Sequence, residues 1–326
     1  MKRQATWGQI VRRIRRPLPP LPWYDRAGAE ARIDQGWPGA NLSEHDRELL
    51  RSWRRNGFLQ LPSVVPEGAI DRMRQDIDRA WETEDPQIWV EHYSTTEVMV
   101  DRLRGSWRAE PHKLLDVHCS SEAARSVLKS PELQRWMHIL LGPQIVAFQS
   151  LVFERGTMQG MHRDTNFVGV HPAWQMVALW IALEDIEPAT GELEYFVGSH
   201  RLPDHTFPSG RNYLLPEESL PAGYSESYEA LAAEHGLERQ RFLPKRGDVL
   251  IWHGGLVHGG RDSIRPGSTR RSFVVHLCPR GGVPYYATNG EWGPCPTIGP
   301  GLTAGSAWRD ERDGPIDYFG PRFPGK

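Results

Sequence analysis

The sequence predicts a mainly β protein, an antiparallel sandwich or barrel with a helical flank. After residue 144, short runs rich in β-branched and aromatic residues recur, and clusters of Gly, Pro, Asp and Asn separate them. Before that point apolar residues recur at helical spacing, as Ile70, Met73 and Ile77 do. No linker of distinct composition separates the two halves, so we expect a single domain with flanking helices.

The helical flank covers residues 43–142 in this prediction. Serine before a first helical turn is a strong N-cap, and glycine after a last turn readily adopts the left-handed C-cap conformation. The expected elements are a helix from Ser43 to Gly57, a strand at 58–61, a helix opened by Pro66, and one or two helices within 121–141, broken at Pro131 and closed by Gly142.

The β-rich core is expected over residues 144–280. The run 174–183 is apolar on both faces, which is typical of a central strand. An insertion at 203–235 interrupts the strands and is expected to form a loop with a short helix. The predicted strands are 145–153, 174–183, 193–197, 249–252 and 272–277.

The two ends of the chain differ from the domain at 43–280. Residues 1–42 begin with a basic, then Pro-rich stretch that precedes the first acidic residue, Asp25. We expect a solvated extension whose Pro-rich half lies along the domain surface, since a transit peptide would normally carry serine. Residues 281–326 are rich in Gly, Pro and aromatic residues and predict either a packed irregular tail or a lid over a site.

Composition excludes several classes of protein. The 326 residues carry 39 basic and 41 acidic side chains, a net charge of −2, which argues against a nucleic-acid partner. The longest apolar run, 174–183, is about half of the ~20 residues that a transmembrane helix needs. Cys119, Cys278 and Cys295 are widely spaced, so neither a disulfide framework nor a cysteine zinc site is expected, and the cytoplasm fits best.

The triplet at residues 162–164 is the first motif that could carry chemistry. On a strand, side chains at i and i+2 share a face, so we expect His162 and Asp164 to point together and Arg163 to point elsewhere. A histidine and a carboxylate are two of the three ligands in a 2-His-1-carboxylate iron site. H-R-D also opens the kinase catalytic loop, but the sequence has neither the Gly-rich loop nor D-F-G, which excludes a kinase.

A third ligand would have to come from another strand. His253 and His258 both lie at the end of the run that begins at residue 249, and both are candidates. An arginine at the start of the next strand, Arg270 or Arg271, could bind a carboxylate through two hydrogen bonds. Taken alone, either arginine is better interpreted as a surface residue.

The order of these motifs resembles the phytanoyl-CoA dioxygenase family of iron(II)- and 2-oxoglutarate-dependent oxygenases. Asp164 and His258 are separated by about ninety residues, as in the family. The resemblance covers approximately residues 45–280 and implies a double-stranded β-helix, a jelly-roll or cupin-like barrel, as an oxygenase domain. It rests on the segments 162–164, 191–200 and 247–260, on Arg270, and on the start at 56–58.

The resemblance implies the metal ligands by position. His162, Asp164 and His258 fall on the three iron ligands. His258 is preferred to His253 because it alone is followed by the small-residue turn and an arginine at the family spacing. Asp164 stands where related halogenases have Gly or Ala, which favours hydroxylation or oxidative cyclisation.

The resemblance also implies the contacts of the cosubstrate. Arg270 falls on the arginine that pairs with the distal carboxylate of 2-oxoglutarate, and the spacing R-x-[small]-x-x-x-H favours it, although a shift to Arg271 stays open. Trp180 falls on an aromatic residue beside the cosubstrate, and Gln149 lies on a strand that lines the pocket. The residues expected to line the substrate are Gln159, His200 and Trp252, and for His200 a structural role stays open as the alternative.

The implied activity is that of a dioxygenase that uses Fe(II), 2-oxoglutarate and O2 and releases succinate and CO2. The substrate is expected to be a small molecule, polar or sugar-containing, because no second basic cluster indicates a coenzyme A site. The alternative is a non-catalytic jelly-roll protein that binds a ligand inside the same barrel. A zinc or manganese hydrolase would leave Arg270 without a role. The oligomeric state stays open.

Overall fold

The computed structural model describes residues 21–37, 39–93, 98–156, 159–172, 174–215, 218–284 and 296–306. Short 3-10 helices lie at Trp23–Asp25, Gly105–Ala109 and Ser199–Arg201. The α-helices are α1 (Ala29–Gln35), α2 (Glu44–Asn56), α3 (Glu67–Thr83), α4 (Val117–Ser120), α5 (Glu122–Val127), α6 (Pro131–Leu141), α7 (Thr165–Val168) and α8 (Tyr224–Glu234).

Strands form a large sheet and two small ones. The strands are β1 (Phe58–Leu61), β2 (Trp89–Tyr93), β3 (Val98–Arg102), β4 (His112–Leu115), β5 (Ile145–Phe153), β6 (Val170–His171), β7 (Val177–Ala182), β8 (Leu193–Phe196), β9 (Arg239–Phe242), β10 (Val249–His253), β11 (His258–Gly260), β12 (Ser272–Pro279), β13 (Val283–Pro284), β14 (Thr297–Gly299) and β15 (Leu302–Ala304). The large sheet has the order β1-β10-β7-β12-β5-β4-β2-β3, with β15 added in parallel to β5, and the second has the order β11-β8-β9.

The central strands β7, β10 and β12 of the large sheet are buried on both faces. Alternate residues of a strand point to opposite faces, so Leu179 of β7 packs with the helices while Trp180 packs toward the second sheet. The space between the two sheets is filled by one apolar cluster that includes Trp180, Leu250 and Phe242. Helices, large sheet and small sheet therefore form three layers, and the predicted mainly β jelly roll with flanking helices is confirmed.

Helix α2 shows how local sequence sets the flank. The Ser43 hydroxyl accepts a hydrogen bond from the Asp46 backbone N–H at 3.1 Å, and the Asp46 carboxylate accepts one from the Ser43 N–H at 2.7 Å. Gly57 ends the helix with a φ of 83°, a left-handed conformation that favours glycine. The predicted helix from Ser43 to Gly57 is confirmed, as are strand β1 and the helix after Pro66.

One prediction about secondary structure was incomplete and one was wrong. The flank is mainly helical, as predicted, but three strands that were not predicted, β2, β3 and β4, extend the large sheet there. Strand β2 was not predicted because it contains charged and polar residues that are buried, such as Glu91 and His92. The predicted strand 174–183 is shorter, since Trp174 has a φ of 69° and regular pairing begins only at Val177.

The ends of the chain pack on this domain where they are described. Tyr24 and Ile33, within the predicted extension 1–42, are buried in the core beside α2. Strand β15 joins the large sheet, and the rest of the predicted tail or lid lies largely outside the described residues. The insertion 203–235 forms a loop and α8, as predicted. Within the described ranges, no helix has the length and apolar character to cross a membrane.

Candidate metal centre

The segment 162–164 differs locally from the strand that we expected. His162 forms an isolated antiparallel bridge with His258, with N–O distances of 2.9 and 3.0 Å in the two directions. Asp164 has helical backbone angles, φ −57° and ψ −40°, and starts α7. The i, i+2 strand argument was therefore wrong at Asp164, because the chain turns into a helix there. The turn still directs Asp164 toward the two histidines, while Arg163 bonds to the Ser199 carbonyl on another side.

His162, Asp164 and His258 converge on one point. Their potential ligand atoms all lie within 4.8 Å of one another, and all three residues are buried. Oδ1 of Asp164 lies 3.5 Å from Nε2 of His258 and 3.8 Å from Nε2 of His162. The three side chains thus form a compact set of two imidazoles and one carboxylate.

Backbone carbonyls fix the orientation of both imidazoles. Nδ1 of His162 lies 2.8 Å from the Gly160 carbonyl, and Nδ1 of His258 lies 3.0 Å from the Leu256 carbonyl. A carbonyl only accepts, so each Nδ1 carries the proton and each Nε2 keeps a free lone pair. Such a hydrogen bond on the far ring nitrogen is typical of metal-ligating histidines.

The protonation of the triad suits a divalent cation. Burial, reinforced by the charge of His258, lowers the pKa of His162 to about 3, so its ring is neutral at pH 7. Burial opposes ionisation of Asp164, but His258 and His276 hold the pKa of this carboxyl well below its ordinary range. Neutral imidazoles and a carboxylate are the forms that bind a metal ion, and two histidines with one carboxylate suit iron(II).

Arg270 is a buried cation beside two aromatic rings. Its guanidinium carbon lies 5.5 Å from the ring centroid of Phe153 and 5.6 Å from that of Trp180. In the described part of the chain it pairs with no carboxylate, and its side-chain hydrogen bond goes to the Arg155 carbonyl at 3.5 Å. Burial lowers its pKa to about 10, which still leaves it charged at pH 7. A buried charge without a partner is costly, so this position fits an anionic ligand.

Arg271 occupies a different environment. Its backbone N–H donates to the Glu184 carboxylate at 2.8 Å, and its Nη2 lies 3.7 Å from Glu154. Arg271 therefore has acidic partners of its own. The structure supports Arg270, not Arg271, as the arginine available to a ligand.

Three further predicted residues lie close to the triad. Gln149 is paired with His276 across β5 and β12, and its buried Oε1 has no hydrogen-bond partner among the residues that the structure describes. Trp252 donates its indole N–H to Oδ2 of Asp164 at 2.7 Å. Gln159 adjoins the triad through its backbone carbonyl, which accepts from the Gly260 N–H at 2.9 Å.

Two histidines considered at the sequence level do not join the triad. His253 lies on the opposite face of β10 from Trp252, with Nε2 3.0 Å from the Asp25 carboxylate and Nδ1 accepting from the Gly255 N–H. His200 packs with His253, ring centroids 5.1 Å apart, and its Nε2 lies 3.3 Å from the Arg54 carbonyl. His200 was expected to line the substrate, and the structure instead places it beside Arg54 of α2 and His253, apart from the triad.

Two residues near the triad were not singled out from the sequence. His276 lies 3.3 Å from Oδ2 of Asp164, and the spacing from Arg270 to a histidine six residues later was the available signal. Lys113 of β4 lies on the same face as Gln149, because Leu115 and Leu151, each two residues on, are directly paired. Its charge also acts to lower the pKa of His162. Without β4 in the prediction, no sequence signal identified Lys113.

Comparison with known families decides the assignment. The family model described as Phytanoyl-CoA dioxygenase (PhyH) matches residues 53–271, which include the triad and Arg270. The chain belongs to the phytanoyl-CoA dioxygenase family. This confirms the family predicted from the motifs.

Several relatives are similar to this chain in sequence. Human peroxisomal phytanoyl-CoA dioxygenase is 22% identical over 250 residues, which cover 71% of this chain and 67% of the human protein. Rat phytanoyl-CoA dioxygenase domain-containing protein 1 is 27% identical over 202 residues, 58% of this chain and 65% of the rat protein. The ectoine dioxygenase of Nocardia farcinica is 23% identical over 241 residues, 70% of this chain and 76% of that protein.

Solved structures share the fold. EctD from S. alaskensis, with 2-oxoglutarate and 5-hydroxyectoine, has a TM-score of 0.55 and 18% identity, covering 83% of this chain and 90% of that one. The epimerase SnoN, in complex with Fe3+, alpha ketoglutarate and nogalamycin RO, has a TM-score of 0.54 and 18% identity, covering 72% and 84%. Members of the phytanoyl-CoA dioxygenase family are non-haem iron dioxygenases that depend on 2-oxoglutarate, and this chain is an enzyme of that class. Iron and 2-oxoglutarate as cofactors are thereby confirmed.

Proposed function

We propose that the enzyme hydroxylates, or oxidatively cyclises, a small polar molecule and releases succinate and CO2. The observation that carries the proposal is the convergence of three buried ligand atoms within 4.8 Å, from His162, Asp164 and His258. A carboxylate at position 164 completes the protein ligands and favours these two outcomes over halogenation. The predicted non-catalytic binding protein would not need this set of ligands together with a buried arginine.

The chain's residues hold, orient and shield the reactants. His162, Asp164 and His258 hold iron(II), which together with 2-oxoglutarate and O2 supplies the oxidising chemistry. Arg270 binds the distal carboxylate of 2-oxoglutarate, since its guanidinium is charged, buried and without a carboxylate partner among the described residues. Trp180 packs against this guanidinium and excludes water from the pair.

Polar groups on the inner face of the large sheet favour a polar or sugar-containing substrate over an acyl-CoA. Gln149 presents an unpartnered amide oxygen on the same face as His276. Farther along this face, Lys113 pairs with Glu91 at 2.8 Å, and both side chains are largely buried. A wall with paired charges and an amide offers both donors and acceptors, which suits hydroxyl groups better than an alkyl chain.

Anaerobic titration of the apoprotein tests the proposal. Iron(II) and then 2-oxoglutarate should produce the weak visible charge-transfer band of the chelate. Asp164→Ala should abolish the band and Arg270→Ala should weaken it. The matched controls Asp185→Ala and Arg239→Ala change exposed residues and should leave it intact. A folded wild-type protein that gives no band would contradict the assignment of these residues to iron and 2-oxoglutarate.

A cytoplasmic location stays a prediction based on the cysteine content. Among the described residues, Cys119 and Cys278 form no disulfide, and Cys278 is buried. Cys295 lies outside the described residues. Fractionation of a tagged protein would test the location.

A further inference from the structure

The two carboxylate oxygens of Asp164 have different surroundings. Oδ1 faces the histidines of the triad, 3.5 Å from His258 and 3.8 Å from His162. Oδ2 faces away from them, 2.7 Å from the indole nitrogen of Trp252 and 3.3 Å from Nε2 of His276. One oxygen is thus directed to the metal centre and the other to two ring nitrogens.

The large sheet supplies both of these rings. Trp252 lies on β10 and His276 on β12, which flank β7 in the sheet. Both side chains are buried, at 2% and 3% exposure. Since Trp252 donates its indole N–H to Asp164, that group is not available to a substrate. This changes the sequence-based interpretation of Trp252 as a residue that lines the substrate.

Among the described residues, His276 has no polar partner other than Asp164 to explain its burial. Neither of its ring nitrogens has a hydrogen-bond partner in the described residues, and the carboxylate of Asp164 is the ionised group beside it. A buried polar side chain normally has a partner, because an unpaired one costs stability. With the proton on Nε2, His276 can donate to Oδ2. Donors to a carboxylate make stronger hydrogen bonds than neutral pairs do.

We propose that Trp252 and His276 are positioning residues that hold Oδ2 of Asp164, so that the carboxylate presents Oδ1 alone to His162 and His258. This inference rests on the proposed function, in which the triad binds iron(II). Without the two donors the carboxylate can rotate about its last side-chain bond and offer either oxygen or both. Neither residue is one of the three whose ligand atoms converge, so His276 acts through Asp164, and Trp252 acts through Asp164 and the His258 ring, whose centroid lies 4.8 Å away.

Cobalt(II) serves as the probe, because its d–d absorption bands report coordination as well as affinity. Wild-type protein is titrated with Co(II) alone, and Trp252→Phe and His276→Leu are titrated in parallel. We expect each substitution to weaken Co(II) binding by about tenfold or more and to shift the d–d bands. His276→Gln keeps an N–H donor and should recover part of both. Trp136→Phe is the matched control, since it removes a buried indole N–H that bonds to Glu132 on α6, and it should match wild type.

The outcomes separate this inference from the proposed function. If wild-type protein binds no Co(II), the proposed metal centre itself fails, and the inference fails with it. If wild type binds Co(II) and both variants bind it with unchanged affinity and spectrum, the inference alone is overturned. If Trp252→Phe does not fold, as judged by near-ultraviolet circular dichroism, the comparison of His276→Leu with His276→Gln tests the inference instead. Equal loss in these two variants would overturn the role of His276 as a donor.

Discussion

The guanidinium carbon of Arg270 lies 5.6 Å from the ring centroid of Trp180, and the Phe153 ring lies 5.5 Å from it on β5. Two rings therefore orient a buried cation that has no carboxylate partner in the described part of the chain. In the proposed function, this buried positive charge binds the distal carboxylate of 2-oxoglutarate.

Replacing Arg270 should weaken the binding of 2-oxoglutarate without weakening that of iron. Arg270→Lys keeps the charge but loses the planar pair of donors, so we expect the concentration of 2-oxoglutarate at half saturation to rise about tenfold, roughly 1.4 kcal/mol. Arg270→Gln should raise it further. Titrating the iron-loaded protein by its visible band measures this. Arg271→Lys is the control. An equal effect in that variant would contradict the assignment of Arg270, and not Arg271, to the binding of 2-oxoglutarate.

The sequence predicted elements whose local signals agree with their packing. The capping box at Ser43 and the C-cap at Gly57 mark α2 because backbone chemistry alone sets these ends. Strand β5 is likewise evident, since seven of its nine residues are apolar and it lies between β12 and β4. The pair His162 and Asp164 was expected from residue type and spacing, and His258 only from the resemblance to the family, although the local geometry at Asp164 is helical.

Other features depend on pairings that only the folded chain shows. Strand β2 contains Glu91, which is buried because Lys113 lies 2.8 Å away on β4, and neither strand has an apolar alternation to reveal it. The role of His276 likewise depends on Asp164, more than a hundred residues earlier. A sequence pattern reports the neighbours of a residue along the chain and carries little information about such partners.

Gly259 should tolerate no side chain. An ideal Cβ there would lie 2.9 Å from the Gln159 carbonyl oxygen and 3.1 Å from the Gly160 carbonyl carbon, and both atoms are backbone. Gly259→Ala must therefore push the backbone at Gln159 and Gly160, which precedes His162, away from β11. We expect a loss of about 1–3 kcal/mol in the free energy of unfolding, together with weaker Co(II) binding. Urea unfolding and metal titration check both.

The control for this prediction is Gly28→Ala, because a Cβ at Gly28 meets nothing within 4 Å. Its unfolding and its Co(II) affinity should match those of wild type. If Gly259→Ala is as stable as Gly28→Ala and binds Co(II) equally well, then the close approach at His162 and His258 does not constrain the metal centre.

Asn166 of α7 forms hydrogen bonds with residues of the insertion 203–235. Its Oδ1 accepts hydrogen bonds from the hydroxyls of Tyr224 and Tyr228, both at 2.7 Å, and its backbone carbonyl accepts from the Leu214 N–H at 2.8 Å. Asn166→Leu leaves two buried hydroxyls without an acceptor, so we expect a loss of about 2–5 kcal/mol. Limited proteolysis should then cut first within the insertion. Equal proteolysis rates in variant and wild type would contradict this role.

Glu154 should make the stability of the protein sensitive to acid. Burial opposes its ionisation, but the adjacent His112 and Arg108 lower its pKa to about 2. Because the folded-state pKa lies below the unfolded one, the ionised carboxylate stabilises the fold above about pH 5 by about 3 kcal/mol, and this contribution fades as the pH falls toward 2. Glu154→Gln removes it, so the difference in unfolding free energy from wild type should be large at pH 7 and shrink at pH 4 and below. Glu229→Gln, at an exposed ion pair with Arg239, is the control and should show almost no difference at any pH, and a Glu154→Gln difference that does not narrow with acid would contradict the lowered pKa.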